Sequence, residues 1–245
     1  ITTKFPLLML AINKVTAMKL LRLALTALAL ASAPAARAQI APSPAEIAAY
    51  TGPHKAAAEG DIDAALKLIE SGADINARDS NGRTPFHVAA FIRNTEIMKR
   101  LARAGTDVNA LDADLYDAVT IAAVADDVPT LKAALAAGNK ATNITSIYVG
   151  TALIAAAHLG HDEVGRTLIE AGAPLDHVNN LGWTALIESI VLGDGGARHQ
   201  ACLRALLAAG ASTSLTDRQG NTPSQLAQAR GYSTMVEMLR RAGAK

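Results

Sequence analysis

His158, Asp194, Arg198 and His199 are the residues of this 245-residue chain whose types could do chemistry together. Two imidazoles can serve as base and acid, a carboxylate can orient one of them, and a guanidinium can hold a developing anion. Three of the four lie in the run Gly193-Asp194-Gly195-Gly196-Ala197-Arg198-His199-Gln200. His158 joins them only if the fold returns the chain to the same edge. No nucleophile elbow, phosphate loop or HExxH motif accompanies the set, so a small-ligand binder or hydrolase-like enzyme is the weaker of two readings. His177 belongs to a turn at the other end of a short helix, about 12 Å away, and does not join them. His158 and His161 have metal-type spacing, but Gly160 interrupts the helix between them. His54, His87 and His161 lack second ligands, so neither a metal nor another cofactor is expected.

The elements that must position these residues announce themselves by period. A Gly-Ala-Asp-like phrase after a Leu-rich helix returns with its glycine at Gly72, Gly105, Gly138, Gly172, Gly210 and Gly243. Spacing near 33 residues marks a stack of units, each burying its apolar faces against its neighbours. Such a stack favours a binding scaffold over an enzyme. The one long interval contains Gly193–Gln200, an insertion that maps to a loop on one edge and is equally compatible with binding specificity or a neutral surface loop.

Local signals agree with the period. Thr84 and Thr222 are suited to cap helices whose first position is proline, where the missing N–H has no intrahelical partner. Paired alanines such as Ala89-Ala90 and Ala156-Ala157 permit close helix approach. Leu68-Ile69, Leu168-Ile169 and Leu206-Leu207 fill the layer between units, and Asn81-Gly82 and Gln219-Gly220 read as hairpin turns. Gln225 and Gln228 make the last unit polar where inner units are apolar or small, as a terminal cap requires.

Thr84-Pro85-Phe86-His87-Val88-Ala89-Ala90 resembles the T-P-L-H-x-A phrase of the ankyrin repeat, with Phe86 in the leucine position. Weaker copies stand at His54–Gly60, Asp117–Ala123, Thr151–Ala157, Thr184–Leu186 and Thr222–Ala227. The resemblance covers nearly all of residues 46–245. It implies an all-α ankyrin-repeat solenoid of about six helix-turn-helix units joined by β-hairpin loops, divided near 46–79, 80–112, 113–145, 146–179, 180–217 and 218–245. It also implies that His54, His87 and His161 are structural, with a histidine of the T-P-L-H type bonded to its cap threonine.

The family likeness places Phe91-Ile92, Val124-Ala125, His158-Leu159 and Val191-Leu192 along a concave groove. A continuous apolar stripe there would mark an interaction site. Tyr116, Tyr148 and Trp183 on adjoining hairpins would supply anchors, with Arg83 beside them. The favoured function is therefore a non-enzymatic scaffold, monomeric, that holds a protein partner in its concave groove and on its hairpin tips, through Arg83, Phe91, Ile92, Tyr116, Val124, Tyr148, His158, Leu159, Trp183, Val191 and Leu192.

The N-terminal region suggests where this happens. Met18-Lys19-Leu20-Leu21-Arg22 is a charged start, Leu23–Ala31 an apolar core too short to span a bilayer, and Ala36-Arg37-Ala38 a small-residue ending. Residues 18–38 read as a signal peptide cut between Ala38 and Gln39, residues 39–45 as a linker, and residues 1–17 as an upstream extension. The expectation is a periplasmic or secreted protein without stable membrane insertion.

Five of the 23 Lys and Arg precede Gln39 and none of the 22 acids does, which leaves 18 basic against 22 acidic residues, net −4. That balance, without a basic cluster, argues against nucleic acid as a partner. The single cysteine, Cys202, has no intramolecular disulfide to form and reads as core-facing.

Overall fold

The computed structural model describes residues 39–244. The proposed signal peptide, the Ala38 side of its cleavage site and residues 1–17 lie outside that range. Thirteen helices follow in order: α1 (Pro44–Ala49), α2 (Gly52–Glu59), α3 (Ile62–Glu70), α4 (Pro85–Phe91), α5 (Thr95–Arg103), α6 (Ala118–Val124), α7 (Val128–Ala136), α8 (Ala152–Leu159), α9 (Asp162–Glu170), α10 (Ala185–Val191), α11 (Ala197–Ala208), α12 (Pro223–Ala229) and α13 (Ser233–Arg241). From α2 onward they form pairs. The first helices α2, α4, α6, α8, α10 and α12 pack successively in an inner row, and α3, α5, α7, α9, α11 and α13 in an outer row. Among the described residues no helix is long and apolar enough to cross a membrane.

Each pair is started and stopped by local chemistry. Thr84 and His87 form a reciprocal cap, with Pro85 in the first turn. Gln225 replaces the histidine in the last unit and makes the same cap with Thr222. Asp61, Asn94 and Asp127 cap the outer helices by accepting from Ala64 N, Ile97 N and Thr130 N. Small residues Ala89, Ala123, Ala156 and Ala227 are fully buried and let the inner row close up, while Leu101, Leu131, Leu168, Leu206 and Leu239 fill the layer beneath. Cys202 belongs to that core, and burial pushes its thiol up to about 12.

Side-chain amides and acids stitch one unit to the next. Asn76 Oδ1 accepts from Asp107 N at 2.8 Å, Asn109 Oδ1 from Lys140 N at 3.0 Å, and Asp176 Oδ1 from Ser212 N at 2.8 Å. The helix α1 straddles the expected linker boundary at 45–46. Its Glu46 both closes a cap with Ser43 and pairs with Arg83 of the second unit at 3.1 Å.

Among the described residues the expected β-hairpins are turns rather than strands, with one isolated bridge between Thr145 and Gly150. In four of them an Asp or Asn closes the turn by accepting from two backbone N–H groups. Asp79 takes Asn81 and Arg83, Asp112 takes Asp114 and Tyr116, Asn179 takes Leu181 and Trp183, and Asp217 takes Gln219 and Asn221. The fourth unit has Ser146 at that place and relies on the Thr145–Gly150 bridge instead.

Candidate functional site

The ends of the inner helices carry the proposed groove. Leu159, at the end of α8, and Leu192, just beyond α10, are 40% and 36% exposed. Phe91, Ile92, Val124 and His158 are half-buried at the corresponding ends of α4, α6 and α8. Tyr116, Tyr148 and Trp183 are also half-buried, and Phe91, Tyr116 and Trp183 lean on the core.

Two residues expected at this surface do not reach it. Val191 is only 9% exposed, because the last turn of α10 points it back into the layer between units. Arg83 is 4% exposed; its guanidinium lies 3.1 Å from Glu46, 3.6 Å from Asp79 and 5.7 Å above the Phe91 ring. Its charge is consumed within the fold, which ties α1 to the second unit.

The histidines divide by role. Thr84 N donates to His87 Nδ1 at 3.1 Å, so His87 Nε2 carries the proton donated to the Tyr116 carbonyl. His54 Nε2 donates to the Arg83 carbonyl and His161 Nδ1 to the Ala123 carbonyl, each at 2.8 Å. All three join one unit to the next. Burial holds His87 below the ordinary imidazole value, which suits a neutral ring.

The four residues of the edge site do not converge. Asp194 Oδ1 accepts from His199 Nδ1 at 2.8 Å, but His199 Nε2 donates to the backbone carbonyl of His158 at 2.9 Å rather than to its ring. Arg198 turns the other way, 2.7 Å from Asp126 and 3.6 Å from Asp162. The insertion is fixed from its far side too, where Tyr232 Oη donates to the Gly193 carbonyl and Arg230 to that of Val191. It therefore braces the third to sixth units along one edge. The alternative edge grouping is spent on structure: Asp194 bonds His199, His199 bonds the His158 carbonyl, and Arg198 pairs with Asp126 and Asp162.

His158 points its ring toward Glu188 of α10, with Nδ1 3.5 Å from Oε2. Glu188 is 4% exposed, and Asn179 Nδ2 donates to its other oxygen at 2.7 Å. Burial raises this carboxyl to about 7, while burial, with His199 and His161 close by, lowers His158. Sequence reasoning missed Glu188. The available signal was register, since the fourth residue after the cap is Val88, Ile121, Ala155 and Leu226 in the other inner and last units, with an exposed Lys55 only in the first.

The hairpin tips were expected at the binding surface, but not the aliphatic residues that stand there in left-handed backbone. Two residues before each cap the backbone is left-handed, and the second, fifth and sixth units place Gly82, Gly182 and Gly220 there. The third and fourth units place Leu115 (φ 64°) and Val149 (φ 56°) instead. A left-handed valine is costly, by roughly 1–2 kcal/mol. Both side chains nevertheless stand in solvent, 44% and 47% exposed, beside Ile144, Ile147 and Val178.

Two hollows stand apart from these surfaces. About 10 Å³ lies enclosed among Leu153, Ala157, Gly165, Ile169, Cys202, Ala205 and Leu206, room for one water-sized body at most. A shallow groove of about 370 Å³ runs between α5 and α7 over Lys99, Ala102, Arg103, Ala133, Ala136 and Ala137. Among the described residues no group of three or more His, Cys, Asp or Glu is arranged to hold a metal ion.

Comparison with known proteins agrees with this geometry. Models of ankyrin repeats match residues 54–102 (many copies) and 119–217 (3 copies). The ankyrin repeat protein YahD of Escherichia coli (strain K12) is 35% identical over 190 residues, 77% of this chain and 94% of that one. The solved ankyrin repeat domain from Acinetobacter baumannii AYE has a TM-score of 0.74 at 42% identity, covering 79% of this chain and 98% of that one. The ankyrin repeat protein EF0377 has a TM-score of 0.73 at 28% identity, covering 78% and 98%. Ankyrin repeats typically mediate protein–protein interaction and are generally non-enzymatic. With its period, its Thr-Pro-Phe-His caps and its paired rows of helices accounted for, this chain belongs to the ankyrin repeat family.

Proposed function

We propose that this protein is an exported, periplasmic scaffold that holds a protein partner along the exposed ends of its inner helices. The observation that carries the reading is the pair Leu159 and Leu192, large aliphatic side chains left in solvent on neighbouring inner helices. Half-buried Phe91, Ile92 and Val124 continue the same register, and Tyr116, Tyr148 and Trp183 flank it. Apolar surface of this kind supports docking of a partner's apolar side chains, with the aromatic rings as its rigid borders. The periplasmic part of the reading is supported by the charged start at Met18–Arg22, the apolar Leu23–Ala31 and the Ala36-Arg37-Ala38 ending.

Both parts are open to direct test. Expressed from Met18 in a Gram-negative host, the protein is expected in the periplasm with Gln39 at its N-terminus, and full-length protein retained in the cytoplasm would refute export. Leu159→Asp with Leu192→Asp alters side chains already in water, so the fold should persist by circular dichroism while partners captured from periplasmic extract are lost. Asp194→Ala with His199→Ala should leave capture intact. A folded leucine double variant that keeps every wild-type partner would refute the groove, whatever the compartment.

A further inference from the structure

We propose that the hairpin tips of the third and fourth units form a self-association surface, pairing with the same tips of a second copy of this chain about a two-fold axis. The surface is made by Leu115, Ile144, Ile147, Val149 and Val178, each 43–51% exposed, on hairpins whose Tyr116 and Tyr148 border the inner-helix groove. Backbone bonds lock the three hairpins that carry it into one face. Ser146 N donates to the Leu115 carbonyl and Asn180 N to the Tyr148 carbonyl, both at 2.9 Å, while His177 Nε2 donates to the Val149 carbonyl at 2.7 Å.

The first argument is cost. Left-handed backbone suits glycine, and three units of this same chain use glycine at the position. Leu115 and Val149 accept strain and still leave nearly half of their surface in water, so local conformation does not explain them. Strain of this kind, kept where the fold gains nothing from it, points to a contact outside the fold.

The second argument selects the occupant. Residues 144–150, Ile-Thr-Ser-Ile-Tyr-Val-Gly, carry no charge, and the charges bordering the patch are of both signs, Asp114 and Asp176 against Lys140 and Arg218. Residues 39–245 carry 18 basic and 22 acidic side chains, net −4, a charge that opposes self-association through charged surface. A two-fold contact through an uncharged face escapes that repulsion, because each copy presents the same neutral aliphatic surface to the other. End-to-end association is closed off by the exposed Gln225 and Gln228 of the last unit. Five half-exposed aliphatic side chains offer on the order of 400 Å² per copy, against about 800 Å² in a standard interface, so the dimer is weak. The proposal departs from the monomer expected from sequence.

Sedimentation velocity of the purified protein from about 5 to about 500 µM tests it. The wild type should move from monomer toward dimer across that range. Ile147→Asp, which puts a carboxylate at the centre of the patch, and Val149→Gly, which restores the residue that other units carry, should each remain monomeric at the top concentration. Circular dichroism and an unchanged or higher urea midpoint for Val149→Gly exclude misfolding as the cause. A wild type that stays monomeric throughout, or either variant associating as the wild type does, would overturn the proposal. Association lost in Leu159→Asp with Leu192→Asp but kept in both tip variants would move the contact to the groove, overturning the tip assignment and leaving the groove reading in place.

Discussion

The edge insertion at 193–200 and the hairpin tips at 115 and 149 treat their side chains in opposite ways. At the edge, a histidine, an aspartate and an arginine that resemble reactive machinery are each satisfied by neighbours in the same chain, and Arg198 reaches back 72 residues to Asp126. At the tips, Leu115 and Val149 sit in left-handed backbone with nearly half of their surface left in solvent. The difference teaches where to look for function in a stack of repeats. Polar groups that converge on one another are bracing the solenoid; apolar groups held in water at a cost are available to something else.

The comparison can be broken at several depths. The largest effect belongs to the stack on which both regions rest. Ala156→Arg places a guanidinium where a fully buried methyl now sits, and a loss of several kcal/mol is expected in urea titration. A midpoint equal to the wild type would mean the inner helices are not packed as described.

Next comes Glu188, whose effect depends on pH. Its folded carboxyl titrates near 7, above the ordinary 4.5, so the folded chain binds more protons than the unfolded one between those values. The stability this contributes is complete below pH 4.5 and is lost as pH rises through 7, by at most about 3 kcal/mol. Glu188→Gln keeps an oxygen for Asn179 and removes the titration. The wild-type minus variant difference should therefore fall between pH 5 and pH 8, and a flat difference would show that Glu188 is ionised throughout. His158, held below its usual value by burial, opposes the trend in the wild type, which is why the difference and not the raw curve is the readout.

The edge brace should yield least. Arg198 and Asp126 are about half and one-third exposed, so Arg198→Ala should lower stability by no more than about 1 kcal/mol. A loss of several kcal/mol would make the insertion a keystone rather than a strap.

Much of the fold is legible in the sequence because a repeat fold is written several times over. The glycines at 72, 105, 138, 172, 210 and 243 give the period, and Thr84-Pro85 with His87 gives the register of the helices. The structural roles of His54, His87 and His161 follow from that register. Departures from the repeat were harder to read. Val191 and Arg83 turn inward because a neighbouring unit supplies a pocket or an acid, a contact between residues far apart in sequence. Arg198 pairs two units away for the same reason. Leu115 and Val149 look like ordinary apolar residues until the backbone shows them in a conformation that other units give to glycine, and Glu188 looks exposed until α10 is seen packed on both sides.

The central contrast is that the chain gives up stability at the tips and gains it at the edge. Urea titration at a single low protein concentration, where association is absent, measures both signs at once. Leu115→Gly with Val149→Gly should raise the midpoint, by about 1 kcal/mol of stability once the added freedom of the unfolded chain is subtracted, while Arg198→Ala with His199→Ala should lower it. A double glycine variant no more stable than the wild type, together with an edge variant no less stable, would contradict the account.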